Sequence, residues 1–159
     1  MKVSGPALIV GDDINTDVIY PSKYLAVSDR AEQALHAFEG LGADWPAKVK
    51  AHPVLIAGWN FGCGSSREQG ATAVLAAGVK LVVARSFSRI YMRNCINNGL
   101  AVVESDDLVS AAEPDGIVEA DLVAGRAKVA NRIIRFEPLP QHLIDIIHDG
   151  GLLARLKKG

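Results

Sequence analysis

Between Pro53 and Val103 three short, wholly apolar runs (Pro53–Gly58, Val79–Ala84 and Leu100–Val103) alternate with two stretches of helical periodicity. Such runs, bounded by breakers, suit strands buried on both faces, because a strand with one wet face alternates instead. The first spacer starts at Ser65 or Ser66, which can cap a helix reaching about Ala77, with Glu68 in its first turn and Gly78 closing it. The second carries Phe87, Ile90, Tyr91, Asn94 and Cys95 at helical spacing and stops at Asn98-Gly99. Strand–helix–strand–helix–strand with short connections calls for parallel strands and right-handed crossovers, so the centre of the chain is an α/β unit.

The flanks are less regular. Ala7–Val10 is apolar and gives way to the turn-rich Gly11–Asp17, then to Val18-Ile19-Tyr20 before Pro21. Ala31, Leu35 and Phe38 share helical spacing, but Gly40, Gly42 and Pro46 break it, predicting a helix followed by an irregular excursion. Beyond Asp106-Asp107, Gly116–Leu122 and Arg126–Val129 predict a hairpin, Asn131–Phe136 a further strand, and His142–Leu156 a helix interrupted at Gly150-Gly151. No repeat, linker or low-complexity tract divides the 159 residues, so one domain over 1–159 is expected. Seventeen Lys and Arg against 18 Asp and Glu argue against a nucleic-acid or anionic-membrane partner, which would favour a basic excess. Two cysteines do not make a disulfide scaffold. No apolar run spans a bilayer, and Met1–Pro6 lacks a signal-peptide core, so a soluble, cytoplasmic protein is expected.

Chemistry concentrates in Asn60-Phe61-Gly62-Cys63-Gly64-Ser65-Ser66-Arg67-Glu68-Gln69. Gly62 and Gly64 permit a tight turn and close approach to a ligand. Ser65 and Ser66 stand where a helix begins and free N–H groups attract anions, and Arg67 offers a fork that matches a carboxylate. The segment also follows the carboxyl end of a parallel strand, where open α/β sheets bind ligands. A simple capped turn is the competing reading. Dinucleotide binding fails because Arg67 replaces the third glycine, and the Walker and hydrolase-elbow patterns are absent. His36, His52, His142 and His148 lie outside every motif and read as surface or packing residues. A hydroxyl beside Arg67 and a helix N-terminus could instead be held as an alkoxide. The acidic segment Asp12–Asp17 superficially resembles a calcium loop but lacks its glycine and closing glutamate. Cys63 and Cys95, a whole β-α-β unit apart, form no metal-ligand pattern, and no metal is expected on this chain.

Taken together, three ordered motifs resemble the small subunits of 3-isopropylmalate dehydratases, the swivelling domain of the aconitase superfamily. They are Gly11-Asp12-Asp13-Ile14-Asn15-Thr16-Asp17-Val18-Ile19-Tyr20-Pro21, Asn60–Glu68, and Ser86–Asn94 with Asn97-Asn98-Gly99-Leu100. The resemblance implies a β/β/α three-layer α/β fold with a parallel central sheet and a small second sheet. It implies reversible dehydration of a 2-hydroxy dicarboxylate in leucine biosynthesis, by a complex with a large subunit whose three cysteines hold a [4Fe–4S] cluster as Lewis acid. This chain would then bind no cofactor and be inactive alone. Ser65 maps to the base that removes the proton next to a carboxylate, Arg67 and Ser66 to substrate binding, and Asp17 to the active site. Cys63 is expected to be a small loop residue, not a cluster ligand. Gln69 stands where many relatives carry His.

Tyr24, Leu25, Ala26, Val27 and Ser28 occupy the loop that discriminates substrates in relatives, where those handling an extra carboxylate carry arginine near its end. An apolar loop suits a branched alkyl group and penalises an unpaired carboxylate, which favours isopropylmalate over homocitrate or citrate. Because one methylene is worth only ~1–3 kcal/mol, 2,3-dimethylmalate and methylmalate or citraconate are alternative substrates, and a homoaconitate hydro-lyase is a further alternative. Arg30 lies just beyond the loop. Competing classes are a non-catalytic module of the same fold, disfavoured because folding requires none of Ser65, Arg67 and Asp17, and a nucleotide-binding Rossmann-like protein, supported by β-α-β texture alone.

Overall fold

The computed structural model describes residues 1–159, with seven strands and eight α-helices. In chain order they are β1 Lys2–Ile9, α1 Thr16–Ile19, α2 Arg30–Ala34, α3 Trp45–Lys50, β2 Val54–Ala57, α4 Gln69–Ala76, β3 Leu81–Ala84, α5 Arg89–Asn97, β4 Ala101–Glu104, α6 Asp106–Ala111, β5 Ile117–Asp121, β6 Arg126–Val129, β7 Arg132–Arg135, α7 Gln141–His148 and α8 Leu152–Lys158. Every side chain of β2, β3 and β4 is buried except Glu104, which is why their sequences are continuous apolar runs. The strands pair in parallel with Ile56 beside Val83 and Val83 beside Val103.

β1 serves both halves of the sheet. Its end, Ala7–Ile9, pairs in parallel with β2, whereas Lys2–Pro6 pairs antiparallel with β5. The order β4-β3-β2-β1-β5-β6-β7 is therefore one curled ribbon, and the expected small second sheet grows out of its first strand. Lys2, Gly5 and Pro6 hide the first half of β1 from an apolar-run criterion, although an antiparallel strand with one open face needs no such run. α6 packs against both β3 and β7, so the antiparallel half folds back over the parallel half. The expected α/β architecture is present, as are the hairpin, the strand after it and the break at Gly150-Gly151. The core joins 38 buried residues from Ala7 to Ile147. No helix is long and apolar enough to cross a membrane.

Two expectations change. Ala31, Leu35 and Phe38 do not form one buried stripe: α2 ends at Ala34, Leu35 is exposed, and Phe38 turns left-handed at φ 60° as its N–H bonds the Ile19 carbonyl. Nor does the helix after β2 begin at Ser65 or Ser66. It begins at Gln69 with Glu68 as its uncapped flanking residue, because the Ser65 hydroxyl is engaged elsewhere.

Candidate active site

Residues Trp59–Glu68 cross the end of the parallel sheet and interlock with Gly11–Tyr20. The N–H of Gly62 donates to the Ile14 carbonyl and that of Thr16 to the Cys63 carbonyl, both at 2.8 Å. Asp12 Oδ1 accepts from the Trp59 N–H at 2.7 Å, and the Asn60 amide donates to Asp13 at 3.2 Å. Beneath the loop Phe61 stands edge-on to Phe87 and Tyr91, with ring centroids 6.0 and 5.3 Å away. Gly62, at φ +81°, is pressed so close to Tyr91 that a Cβ would fall 2.2 Å from the ring, so this glycine serves loop packing and not ligand approach. Gly64, at φ +103° and exposed, then turns the chain out of the core.

That turn delivers Ser65 onto an open face. Its Oγ accepts from Arg67 Nε at 2.6 Å and lies 3.2 Å from Thr16 Oγ1. Ser65 and Ser66 are exposed, Arg67 is half-buried and Thr16 is buried. Arg67 Nη1 also faces Asp17 Oδ1 at 3.5 Å and the Tyr20 carbonyl at 3.4 Å. Asp17 Oδ1 accepts from the Ser22 N–H at 2.9 Å. That bond, then the Ser22 hydroxyl and Arg67, hold the Asp17 carboxyl below its ordinary range despite an opposing desolvation cost. Ser65, Arg67 and Asp17, drawn from segments about fifty positions apart, thus form one constellation.

Ser66 sits beside it, its carbonyl accepting from Asn94 Nδ2 at 3.5 Å, while Asn98 Nδ2 donates to Glu68 at 3.1 Å. α5 in this way supports the Ser65–Glu68 strip from behind. The sequence reading missed Thr16, Asn94 and Asn98 as site residues, although all three lie within the motifs already singled out.

Leu25, Ala26 and Ser28 are exposed, and Tyr24 and Val27 are half-buried. Tyr24 stacks on His36 with centroids 3.6 Å apart, and its hydroxyl donates to Glu39 Oε1 at 2.7 Å. Gln69 Nε2 touches the Leu25 carbonyl at 3.5 Å, tying this loop to the start of α4. Arg30 instead lines a cavity of about 460 Å³ with Glu68, Asn98 and α8. Burial pushes the Cys95 thiol up to about 12, so it holds its proton, and the backbone of half-buried Cys63 pairs with that of Asn15 in the interlock.

A cation bonded to a hydroxyl on an open face, with a carboxylate behind it, can lower the cost of an alkoxide and receive an anionic substrate. Residues 9–107 match the family model described as the aconitase C-terminal domain, which sets the class. The 3-isopropylmalate dehydratase small subunit of Halothermothrix orenii is 42% identical over 161 residues, covering 100% of this chain and 98% of its own. That of Caldicellulosiruptor saccharolyticus is 45% identical over 159 residues, covering 99% and 92%. The crystal structure of 3-isopropylmalate dehydratase from Methanocaldococcus jannaschii matches with a TM-score of 0.92 at 40% identity, covering 99% of this chain and 95% of that one. The chain belongs to the 3-isopropylmalate dehydratase small-subunit family.

Proposed function

We propose that this chain is the small subunit of a cytoplasmic hydro-lyase that interconverts 2-isopropylmalate and 3-isopropylmalate in leucine biosynthesis, together with a large iron–sulfur subunit. The observation that carries the reading is the Ser65 Oγ, donated to by Arg67 at 2.6 Å and presented on an exposed strip. Ser65 is the base: as alkoxide it takes the proton from the carbon next to a substrate carboxylate and returns it in rehydration. Arg67 Nε stabilises that alkoxide, and the rest of the guanidinium, with Ser66, receives the carboxylate. Thr16 steadies the Ser65 hydroxyl, and Asp17, kept ionised by Ser22, orients Arg67. Departure of hydroxide needs a Lewis acid, which a [4Fe–4S] cluster on the large subunit would supply. An open half-site suits a reaction completed across a subunit junction. Leu25 and Ala26 give the substrate-discriminating loop the apolar surface that a branched alkyl group favours. Residues 1–159 act as one domain, a reading supported by a core running from Ala7 to Ile147.

The test is Ser65→Ala in the complex assembled with its large subunit. Turnover of isopropylmalate is expected to fall by about a thousandfold while the complex elutes at its normal size. Unchanged turnover overturns the catalytic reading, and turnover by the lone chain overturns the two-subunit one.

A further inference from the structure

We propose that Gln33 is a positioning residue that sets the substrate-discriminating loop Tyr24–Ser28 against the helix following the catalytic strip; this rests on the reading of that loop given above. Gln33 lies on α2 and is only 5% exposed, an environment that penalises an amide unless both of its ends are bonded. Both are. Nε2 donates to the Val27 carbonyl at 2.9 Å, and Oε1 accepts from Thr72 Oγ1 at 2.7 Å. A carbonyl can only accept, so the amide nitrogen must face Val27 and the amide oxygen must face Thr72, whose hydroxyl therefore donates. The pair has a single bonded arrangement.

Thr72 is itself 7% exposed and stands on α4 three residues beyond Gln69. Residues three apart share a helix face. α4 thus addresses the loop twice, directly through Gln69 on the Leu25 carbonyl and indirectly through Thr72 and Gln33 on that of Val27. The Tyr24 carbonyl accepts from the Tyr20 hydroxyl at 2.8 Å. Side chains from α2, from α4 and from Tyr20, just past α1, therefore pin three carbonyls of a loop that belongs to no strand. Tyr20 and Gln33 are both buried, and Gln33 reaches, through Thr72, a helix whose preceding residues are Ser65–Glu68. Ser65 and Arg67 have separate supports in Thr16 and Asp17. Loss of Gln33 should consequently loosen the placement of Leu25 and Ala26 before it disturbs the chemistry.

The experiment uses the complex with its large subunit and measures kcat and KM for isopropylmalate and for methylmalate, which lacks the branched group. Gln33→Leu and Thr72→Val should each cut the preference for isopropylmalate roughly tenfold, through a higher KM, because a poorly held apolar pocket loses alkyl discrimination. kcat on isopropylmalate should stay within about threefold of the parent. Thr72→Ser, which keeps the hydroxyl, should restore parental behaviour. Leu25→Ala reports on the loop itself. A changed preference in Leu25→Ala with parental ratios in Gln33→Leu and Thr72→Val overturns the role of Gln33 and leaves the loop reading standing. Parental ratios in all of them overturn both. Equal losses for both substrates make Gln33 merely structural and also overturn the proposal. Should Gln33→Leu fail to fold, the contrast between Thr72→Val and Thr72→Ser decides.

Discussion

The two halves of the strand–loop–helix unit at the centre of this chain are held by different forces. β2, β3 and β4 bury everything but Glu104 and keep their place by apolar contact, which is non-directional and distributed over many atoms. The interlocked Gly11–Tyr20 and Trp59–Glu68 segments anchor Ile19, Tyr20 and Phe61 in the core, but their exposed parts, Gly11–Asp13 and Gly64–Ser66, are held by single directional bonds. Apolar packing gives the scaffold stability without specifying any one angle. Polar bonding sets angles at the site while adding little to stability. Mutations should therefore separate the two: scaffold changes should cost stability but spare rates, and site changes should do the reverse.

The largest effect that would break this contrast is in the core. Leu55, wholly buried on β2, should cost about 3 kcal/mol of unfolding free energy when changed to Ala. Urea unfolding measures the loss, and kcat per folded complex should be unaltered; a kcat that falls with stability would show that the halves are not separable. Next comes Arg67→Lys. An ammonium cannot reproduce the Nε bond to Ser65 together with a free fork, so turnover should drop about a hundredfold. The unfolding free energy should change by less than about 1 kcal/mol, since Arg67 is only half-buried and a lysine keeps its charge.

The smallest expected effect lies in a polar bond of the scaffold, between His52 Nε2 and Asp115 Oδ1 at 2.6 Å. Burial opposes protonation of His52, but the Asp115 carboxylate and the Lys48 carbonyl outweigh it and raise the imidazole above its ordinary 6.5. A raised folded-state value means that this stabilisation is complete below pH 6.5 and is lost as pH rises through the elevated value. The parent should thus lose a fraction of ~1 kcal/mol between about pH 6 and pH 8.5 that His52→Gln does not lose. Chemical denaturation at the two pH values measures it, and equal slopes would remove His52 from the account.

Within this molecule, what could be read from the chain alone follows a physical line. The apolar runs ending at Ala57, Ala84 and Val103 announce doubly buried strands, since no other element keeps a run so short and so continuous. Gly78 and Gly99 close their helices at φ +106° and +91°, as expected of left-handed stops. The first half of β1 was not legible, because Lys2–Pro6 carries neither a run nor a clean alternation, and its partner β5 lies over a hundred residues away. Ser65 was legible as a candidate site residue through its motif, yet not in its local geometry. Spacing favoured a helix cap, whereas Arg67 and Thr16 draw the hydroxyl away from the helix.

By itself, then, the sequence determined the parallel α/β centre, the hairpin beyond it and the family, because burial periodicity and ordered motifs are local properties of a chain. Only the tertiary structure decided that Thr16 meets Ser65 across 49 positions and that Gln33 meets Thr72 across 39. A directional bond between distant residues leaves no period in the sequence; it exists once packing has brought donor and acceptor within 3 Å or so of each other.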